Sequence, residues 1–286
     1  MRAKVLMIQG TSSGAGKSTI TIGLCRILSD LGYRVVPFKA QNMSSNVHRI
    51  KYNSTVQEIA LAQAIQAKAC RIRPNIKMNP ILLKPQDNYR SRVVLNGYFH
   101  SELSVKQYYE TFVLQKGFPA VIKALRSLRM ENDVVVIEGA GSPAEVNISR
   151  YDISNMLLAN RVKAPIVLVA DIERGGCFAA LVGTMRLLAR RDRKLVNGFL
   201  INKFRGDATI LKAAIDRVER ITRKKILGII PKIQFRLPQE DSLDNHLEQE
   251  IPPAKWDKEI DSIADSIRSE IHVSEMIEDI IGLDGR

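Results

Sequence analysis

The sequence predicts an α/β protein with a doubly wound, mostly parallel sheet. Short unbroken Val/Ile runs recur along the chain, longer stretches with helical spacing separate most of them, and the first run passes straight into Gly10-Thr11-Ser12-Ser13-Gly14-Ala15-Gly16-Lys17-Ser18. Strands covered by helices on both faces need such continuous apolar character.

Taken in order, Val5-Leu6-Met7-Ile8 forms the first strand, and residues 10–18 form a phosphate-cradling loop that opens a helix. A second strand is expected at 35–38 and a helix over 56–69. A strand at 93–95, a long helix over 105–129 and a strand at 134–137 follow. The alternation continues with a strand at 166–170, a helix at 178–190, a strand at 199–201, a helix at 208–221 and a strand at 226–230. From about residue 238 the character changes. Gln239-Glu240-Asp241-Ser242 and residues 248–253 read as a polar connector, and 256–281 as one amphipathic helix with Ile260, Ile263, Ile267 and Ile271 at helical spacing. Residues 1–237 thus form the P-loop domain, and 238–286 a connector and C-terminal helix packing back on it.

Composition narrows the class. A chain of 286 residues that is 45% hydrophobic can bury an ample core. Cys25, Cys70 and Cys177 are widely spaced with no C-x-x-C pair, which argues against a disulfide framework and a zinc site; a reducing cytoplasm is the expected location. No apolar run reaches the roughly 18 residues of a membrane span, and Met1-Arg2-Ala3-Lys4 leads directly into a strand, so neither a membrane partner nor a secretion signal is expected. The net charge of +13 is compatible with nucleic acid, an acidic surface or a polyanionic substrate, and composition alone does not choose among them. The basic clusters at 186–194 and 217–225 have no aromatics interleaved for base stacking, so nucleic acid is not an expected partner.

In such a loop, small residues let successive backbone N–H groups converge on phosphate oxygens, the lysine spans the β and γ groups, and the next hydroxyl holds Mg²⁺. Thr11, Ser13, Gly14, Ala15, Gly16, Lys17, Ser18 and Thr19 are therefore the candidate phosphate contacts. One departure marks a variant loop: the general G-x-x-x-x-G-K-[ST] pattern has glycine where this chain has Thr11, with Gly10 one step further out. Ser12 stands where partitioning-type ATPases carry a second lysine, so a lysine-exchanging dimer is not supported, while a homodimer of another kind stays open.

The other candidates sit at strand ends, where open parallel sheets bind ligands. Glu138 leaves the strand 134–137 into Gly139-Ala140-Gly141-Ser142 and, with Ser18, supplies hard oxygen ligands for Mg²⁺. Lys39 follows the second strand, where a cation orients a substrate carboxylate or stabilises a transferring phosphoryl group; a solvated surface lysine is the alternative. Glu58, near the start of the next expected helix, is either a further metal ligand or a plain exposed glutamate. Asn202-Lys203 closes a strand where such sheets often read the base. The aspartate that would recognise guanine is replaced by Arg205, with Asp207 beyond it, so guanine is disfavoured. Asp171 opens Asp171-Ile172-Glu173-Arg174-Gly175-Gly176, whose glycines turn chemistry alone would explain. His48, His100, His246 and His272 are scattered and build neither a triad nor a metal pair, and Cys177 reads as a helix residue.

Together with the loop, Pro37-Phe38-Lys39-Ala40-Gln41-Asn42-Met43, Met78-Asn79-Pro80-Ile81-Leu82-Leu83-Lys84-Pro85, Glu138-Gly139-Ala140-Gly141-Ser142-Pro143-Ala144-Glu145, Val169-Ala170-Asp171-Ile172-Glu173-Arg174-Gly175-Gly176 and Ile201-Asn202-Lys203-Phe204-Arg205-Gly206-Asp207 resemble the cobyric acid synthase family, in order, over about residues 5–245. More distantly, the variant loop, Lys39 and Glu138 resemble dethiobiotin synthetase. The resemblance implies a P-loop NTPase fold of the dethiobiotin synthetase type and ATP-dependent amidation of peripheral carboxylates on a corrinoid polycarboxylate, adenosylcobyrinic acid a,c-diamide. The implied roles put Lys17 on the β and γ phosphates of ATP, Mg²⁺ on Ser18 and Glu138 with Glu58 as a further ligand, and adenine against Asn202. Lys39 orients the carboxylate that becomes an acyl phosphate, and Asp171 takes the surplus ammonium proton. Family members continue into a glutaminase domain that this sequence does not contain, so the expected nitrogen source is free ammonia, a separate glutaminase subunit or a removed segment. A related amide ligase or carboxylase acting on another polycarboxylate, and an ATP-dependent switch that makes no amide, remain as alternatives.

Overall fold

The computed structural model describes residues 2–87, 89–238 and 252–283; the connector positions expected at 239–242 and 248–251 lie outside the described residues. In chain order the elements are β1 (Lys4–Gly10), α1 (Lys17–Asp30), β2 (Val35–Phe38), β3 (Gln41–Met43), β4 (Val47–Tyr52), β5 (Thr55–Ala60), α2 (Leu61–Ala69), β6 (Ile81–Gln86), β7 (Arg90–Leu95), β8 (Tyr98–Ser104) and α3 (Phe118–Glu131). Then come β9 (Val134–Glu138), α4 (Met156–Val162), β10 (Ile166–Asp171), α5 (Cys177–Leu187), β11 (Val196–Phe204), α6 (Lys212–Thr222), β12 (Lys225–Pro231) and α7 (Trp256–Arg268).

Six strands form the central sheet in the order β12-β11-β10-β1-β9-β2, every pairing parallel. Strand alternation sends Leu6, Ile8, Val136 and Val169 to one face, against Ile20 and Leu24 of α1 and Ile260 and Ile263 of α7. Met7, Val135, Ile137 and Leu168 go to the other, against Leu125 of α3, Leu158 of α4 and Leu181 of α5. From β1 the chain first runs toward β2 and later returns to β10 and β11 on the opposite side. The crevice beyond the carboxyl ends of β1, β9 and β10 is therefore the topological switch point, where such sheets take ligands.

Three expectations are corrected. The strand at 93–95 is not in the parallel sheet: it belongs to a second sheet, ordered β3-β6-β7-β8, in which β6, β7 and β8 run antiparallel. The helix expected over 56–69 is a strand to Ala60 and a helix only from Leu61. Its first part pairs with β4 through a turn at Asn53-Ser54, where Asn53 adopts a left-handed φ of 52°, and β-branched Thr55, Val56 and Ile59 suit the ladder. The helix expected over 256–281 stops at Arg268, because Ile271 turns in to pack against Gly228 of β12 before a last helical stretch, Met276–Ile281. The helical stretch at 105–129 is present but widened into π-type turns over Tyr108–Gly117.

Helix α7 lies on α1. Its acidic side holds Arg26, which is fully buried, with Asp257 at 2.6 Å and Asp261 at 3.2 Å. No helix among the described residues is long and apolar enough to cross a membrane.

Candidate functional site

The loop between β1 and α1 explains its own departure from the general pattern. Thr11 continues the strand ladder, donating its N–H to the Val169 carbonyl at 2.9 Å, and its φ is not positive, so glycine is not required there. The requirement falls on Gly10, where a Cβ would stand 3.1 Å from the Lys17 stem, and on Gly16, with φ of 95° and no room above the Asn202 amide. Ser13 is exposed and Thr19 half-buried in the first turn of α1. The Lys17 ammonium, folded back over the loop, donates to the carbonyls of Ser12 at 2.9 Å and Gly141 at 3.0 Å.

Strand β11 fixes this loop from below. Asn202 donates its amide to the Ala15 carbonyl at 2.9 Å, and Lys203 reaches the Gly14 carbonyl at 2.6 Å and Asp171 at 2.8 Å. With those carbonyls tied to the sheet, the loop's N–H groups are left to converge on an anion. Asp171 also accepts the Glu173 N–H at 2.8 Å, so both its oxygens are engaged and its surroundings are those of a positioning group. Asp207 accepts from the Thr209 N–H and Arg205 pairs with Glu173, so neither side chain is directed at a base. Cys177 opens α5, and burial pushes its thiol up to about 11.

Beside the loop is a buried polar cluster centred on Glu138. The register sets Glu138 level with Ile8 of β1, one residue from the loop's approach. Its Oε1 accepts from Ser18 Oγ at 2.8 Å and from Lys39 Nζ at 2.9 Å, while Oε2 accepts from the Gln66 amide of α2. Burial pushes the Glu138 carboxyl up, but the Lys39 charge and the hydrogen bonds from Lys39, Ser18 and Gln66 outweigh it and hold the carboxyl below its ordinary range. Lys39 is thus no solvated lysine. Asn79 fixes its backbone by donating to the Lys39 carbonyl at 3.2 Å. The cluster continues inward as Gln66, Gln63 and Asn42, all buried, with Asn42 donating to Gln63 at 2.8 Å.

Gln66 and Gln63 are site residues that sequence reasoning missed, and Lys203, named with Asn202 at the base-reading strand end, instead holds the loop and Asp171. A signal existed for the glutamines: two amides three residues apart in an otherwise Ala-rich helix, on a face that buries. Glu58, expected near a helix start, lies in β5, where it bonds Lys84 at 2.9 Å and pairs with Arg49 at 3.8 Å; no hydrogen bond joins it to Ser18 or Glu138 among the described residues. Those residues also hold no cluster of three or more His, Cys, Asp or Glu suited to a metal. Ser18 and Glu138 nevertheless form an adjacent pair of oxygen donors beside the phosphate loop. That set fits Mg²⁺, which takes few protein ligands and completes its shell with water and phosphate oxygens.

The profile described as CobQ/CobB/MinD/ParA nucleotide binding domain matches residues 6–243. A probable cobyric acid synthase of Thermococcus kodakarensis is 49% identical over 263 residues, covering 91% of this chain and 52% of its own length. A cobyric acid synthase of Dehalococcoides mccartyi is 48% identical over 242 residues, covering 84% and 47%. The chain therefore spans about half the length of these curated relatives. Among solved structures, the signal recognition particle receptor FtsY of Elizabethkingia anophelis aligns with a TM-score of 0.48 at 15% identity, over 92% of this chain and 66% of that one. On the strength of the matched profile, the chain belongs to the CobQ/CobB/MinD/ParA nucleotide-binding domain family.

Proposed function

We propose that this chain is the ATP-using part of an amide ligase of the cobyric acid synthase kind, which activates peripheral carboxylates of a corrinoid polycarboxylate in cobalamin biosynthesis. The observation that carries the reading is the buried junction of Ser18, Glu138 and Lys39 directly against the Lys17 loop. A plain nucleotide switch has no need of a sealed lysine at the end of the neighbouring strand.

In this reading Lys17 leaves the Ser12 and Gly141 carbonyls for the β and γ phosphates of ATP. Ser18 and Glu138 hold Mg²⁺, which when bound neutralises phosphate charge. Asn202, buried under the loop, borders the adenine side. Lys39 orients the acceptor carboxylate in line with the γ phosphorus. One carboxylate oxygen bonds to that phosphorus as the bond to the bridging oxygen breaks and ADP leaves. Ammonia then attacks the acyl carbon, the carbon–oxygen bond breaks, and orthophosphate departs carrying an oxygen of the original acid. The surplus proton goes to the departing phosphate or to solvent, since Asp171 is held by Lys203 and Glu173. Positioning and charge neutralisation supply most of the acceleration. Nitrogen arrives as free ammonia or from a glutaminase.

The test is ATP turnover with cobyrinic acid a,c-diamide labelled with ¹⁸O in its carboxylates, Mg²⁺ and ammonium. Label is expected in the released orthophosphate, one atom per amide formed. Amide formation with unlabelled phosphate would sink the proposal, and ATP hydrolysis indifferent to the acid would favour a switch.

A further inference from the structure

In the second sheet, Lys84 of β6 stands directly opposite Arg92 of β7. Like charges in direct cross-strand register destabilise a sheet unless an anion lies near them. Two local carboxylates, Glu58 and Glu102, meet that need only in part. Glu58 takes a hydrogen bond from Lys84 at 2.9 Å and is shared with Arg49, its own cross-strand partner, at 3.8 Å. Arg92 makes no ion pair among the described residues, even with Glu102 opposite it on β8. Its guanidinium instead lies 4.5 Å over the ring of Phe99, a large apolar side chain that is 54% exposed.

Strand β3 links this patch to the junction at Glu138. Strand β3 begins two residues after Lys39 and pairs in parallel with β6, Gln41 opposite Ile81 and Met43 opposite Leu83, so Lys84 is one step beyond. At about 3.3 Å per residue, Lys84 and Arg92 lie no more than roughly 16 Å along the strand direction from Lys39. An aromatic face, an unpaired guanidinium and a partly satisfied ammonium at that range suit a broad amphipathic acid.

We propose that Arg92, with Lys84 and the Phe99 ring, anchors a second carboxylate of the acceptor, remote from the one being activated, and seats the acceptor's flat apolar body. The assignment rests on the acid-activating reading above. It makes this patch the determinant of acceptor class: a polycarboxylate reaches both the anchor and Lys39, and a small monocarboxylic acid does not.

The experiment compares wild type, Arg92→Gln and Arg92→Lys in two assays. One is phosphate release with ATP, Mg²⁺, ammonium and cobyrinic acid a,c-diamide; the other is calorimetric binding of that diamide without ATP. Arg92→Gln is expected to raise acceptor KM and Kd about tenfold or more, the scale of a lost charge-assisted hydrogen bond. Its kcat and its ATP affinity should hold within about twofold, and Arg92→Lys should recover part of the loss. Unchanged KM and Kd in Arg92→Gln would overturn the anchor and leave the ligase reading standing. Arg92-dependent binding without acceptor-dependent phosphate release would do the reverse. A wild-type protein that does not bind the diamide would overturn both.

Discussion

Lys39 Nζ and Glu138 Oε1 lie 2.9 Å apart at the ends of neighbouring strands β2 and β9, both sealed from solvent. Removing one member of such a pair leaves an uncompensated buried charge. Lys39→Met is expected to lower stability by about 3–5 kcal/mol in urea unfolding, and the double variant Lys39→Met/Glu138→Gln to recover most of that loss. Neither should release phosphate in response to an acceptor. Additive losses in the double variant would contradict the coupling.

Acid should act through the same carboxylate. Its folded-state value lies below the ordinary 4.5, so the ionised group contributes stability that is present above about pH 4.5 and lost as pH falls through the depressed value. Wild type is expected to show a steeper fall in unfolding midpoint between pH 5 and pH 3 than Glu138→Gln, measured in parallel urea titrations.

Asp152 predicts the opposite sign. Burial raises its carboxyl from 3.8 to about 6, against hydrogen bonds from Asn155 and Ser154. Its contribution is therefore favourable below pH 3.8 and lost as pH rises through 6. Asp152→Asn keeps the acceptor oxygen and removes the charge. The variant should gain about 1–2 kcal/mol over wild type at pH 8 and nothing at pH 4, read as a shift in melting temperature.

Gly16 and Asn202 make a steric test of the loop. An ideal Cβ on Gly16 would sit 1.9 Å from the Asn202 amide nitrogen, and its φ of 95° is strained for any L side chain. Gly16→Ala should weaken ATP binding by two orders of magnitude or more, on the order of 3 kcal/mol. Pairing it with Asn202→Ala should restore only part, since the backbone strain remains. Full restoration, followed by fluorescent-nucleotide titration, would show that only the clash mattered.

The phosphate loop, Lys39 and Glu138 were legible because each follows a run of Val, Ile or Phe whose burial is dictated by composition, so the strand end and its polar neighbour are located together. Gln66, and the hold of Lys203 on the loop, were hidden because they depend on where α2 and β11 end up relative to other segments, which no local pattern encodes. The second sheet was missed for a different reason. Its apolar runs are short and one-ended, Ile81-Leu82-Leu83 ahead of Lys84-Pro85-Gln86 in β6 and Val93-Val94-Leu95 behind Arg90-Ser91-Arg92 in β7, so 93–95 reads as one more strand of the parallel sheet. Asn96-Gly97 between β7 and β8, both at positive φ, was the available hairpin signal. Glu58 is misplaced for a separate reason: the β4–β5 hairpin, a two-stranded sheet of its own, reads as the start of a helix, and a strand places the carboxylate differently.

Arg26 has a bearing on where the chain can be cut. Its fully enclosed guanidinium depends on Asp257 and Asp261, which lie past residue 243, where the matched profile stops. A version trimmed to the profile would take away both carboxylate partners of Arg26 and bare the isoleucine-lined side of α1, so it should precipitate or bind chaperones, whereas one ending after residue 283 keeps the lid on that face.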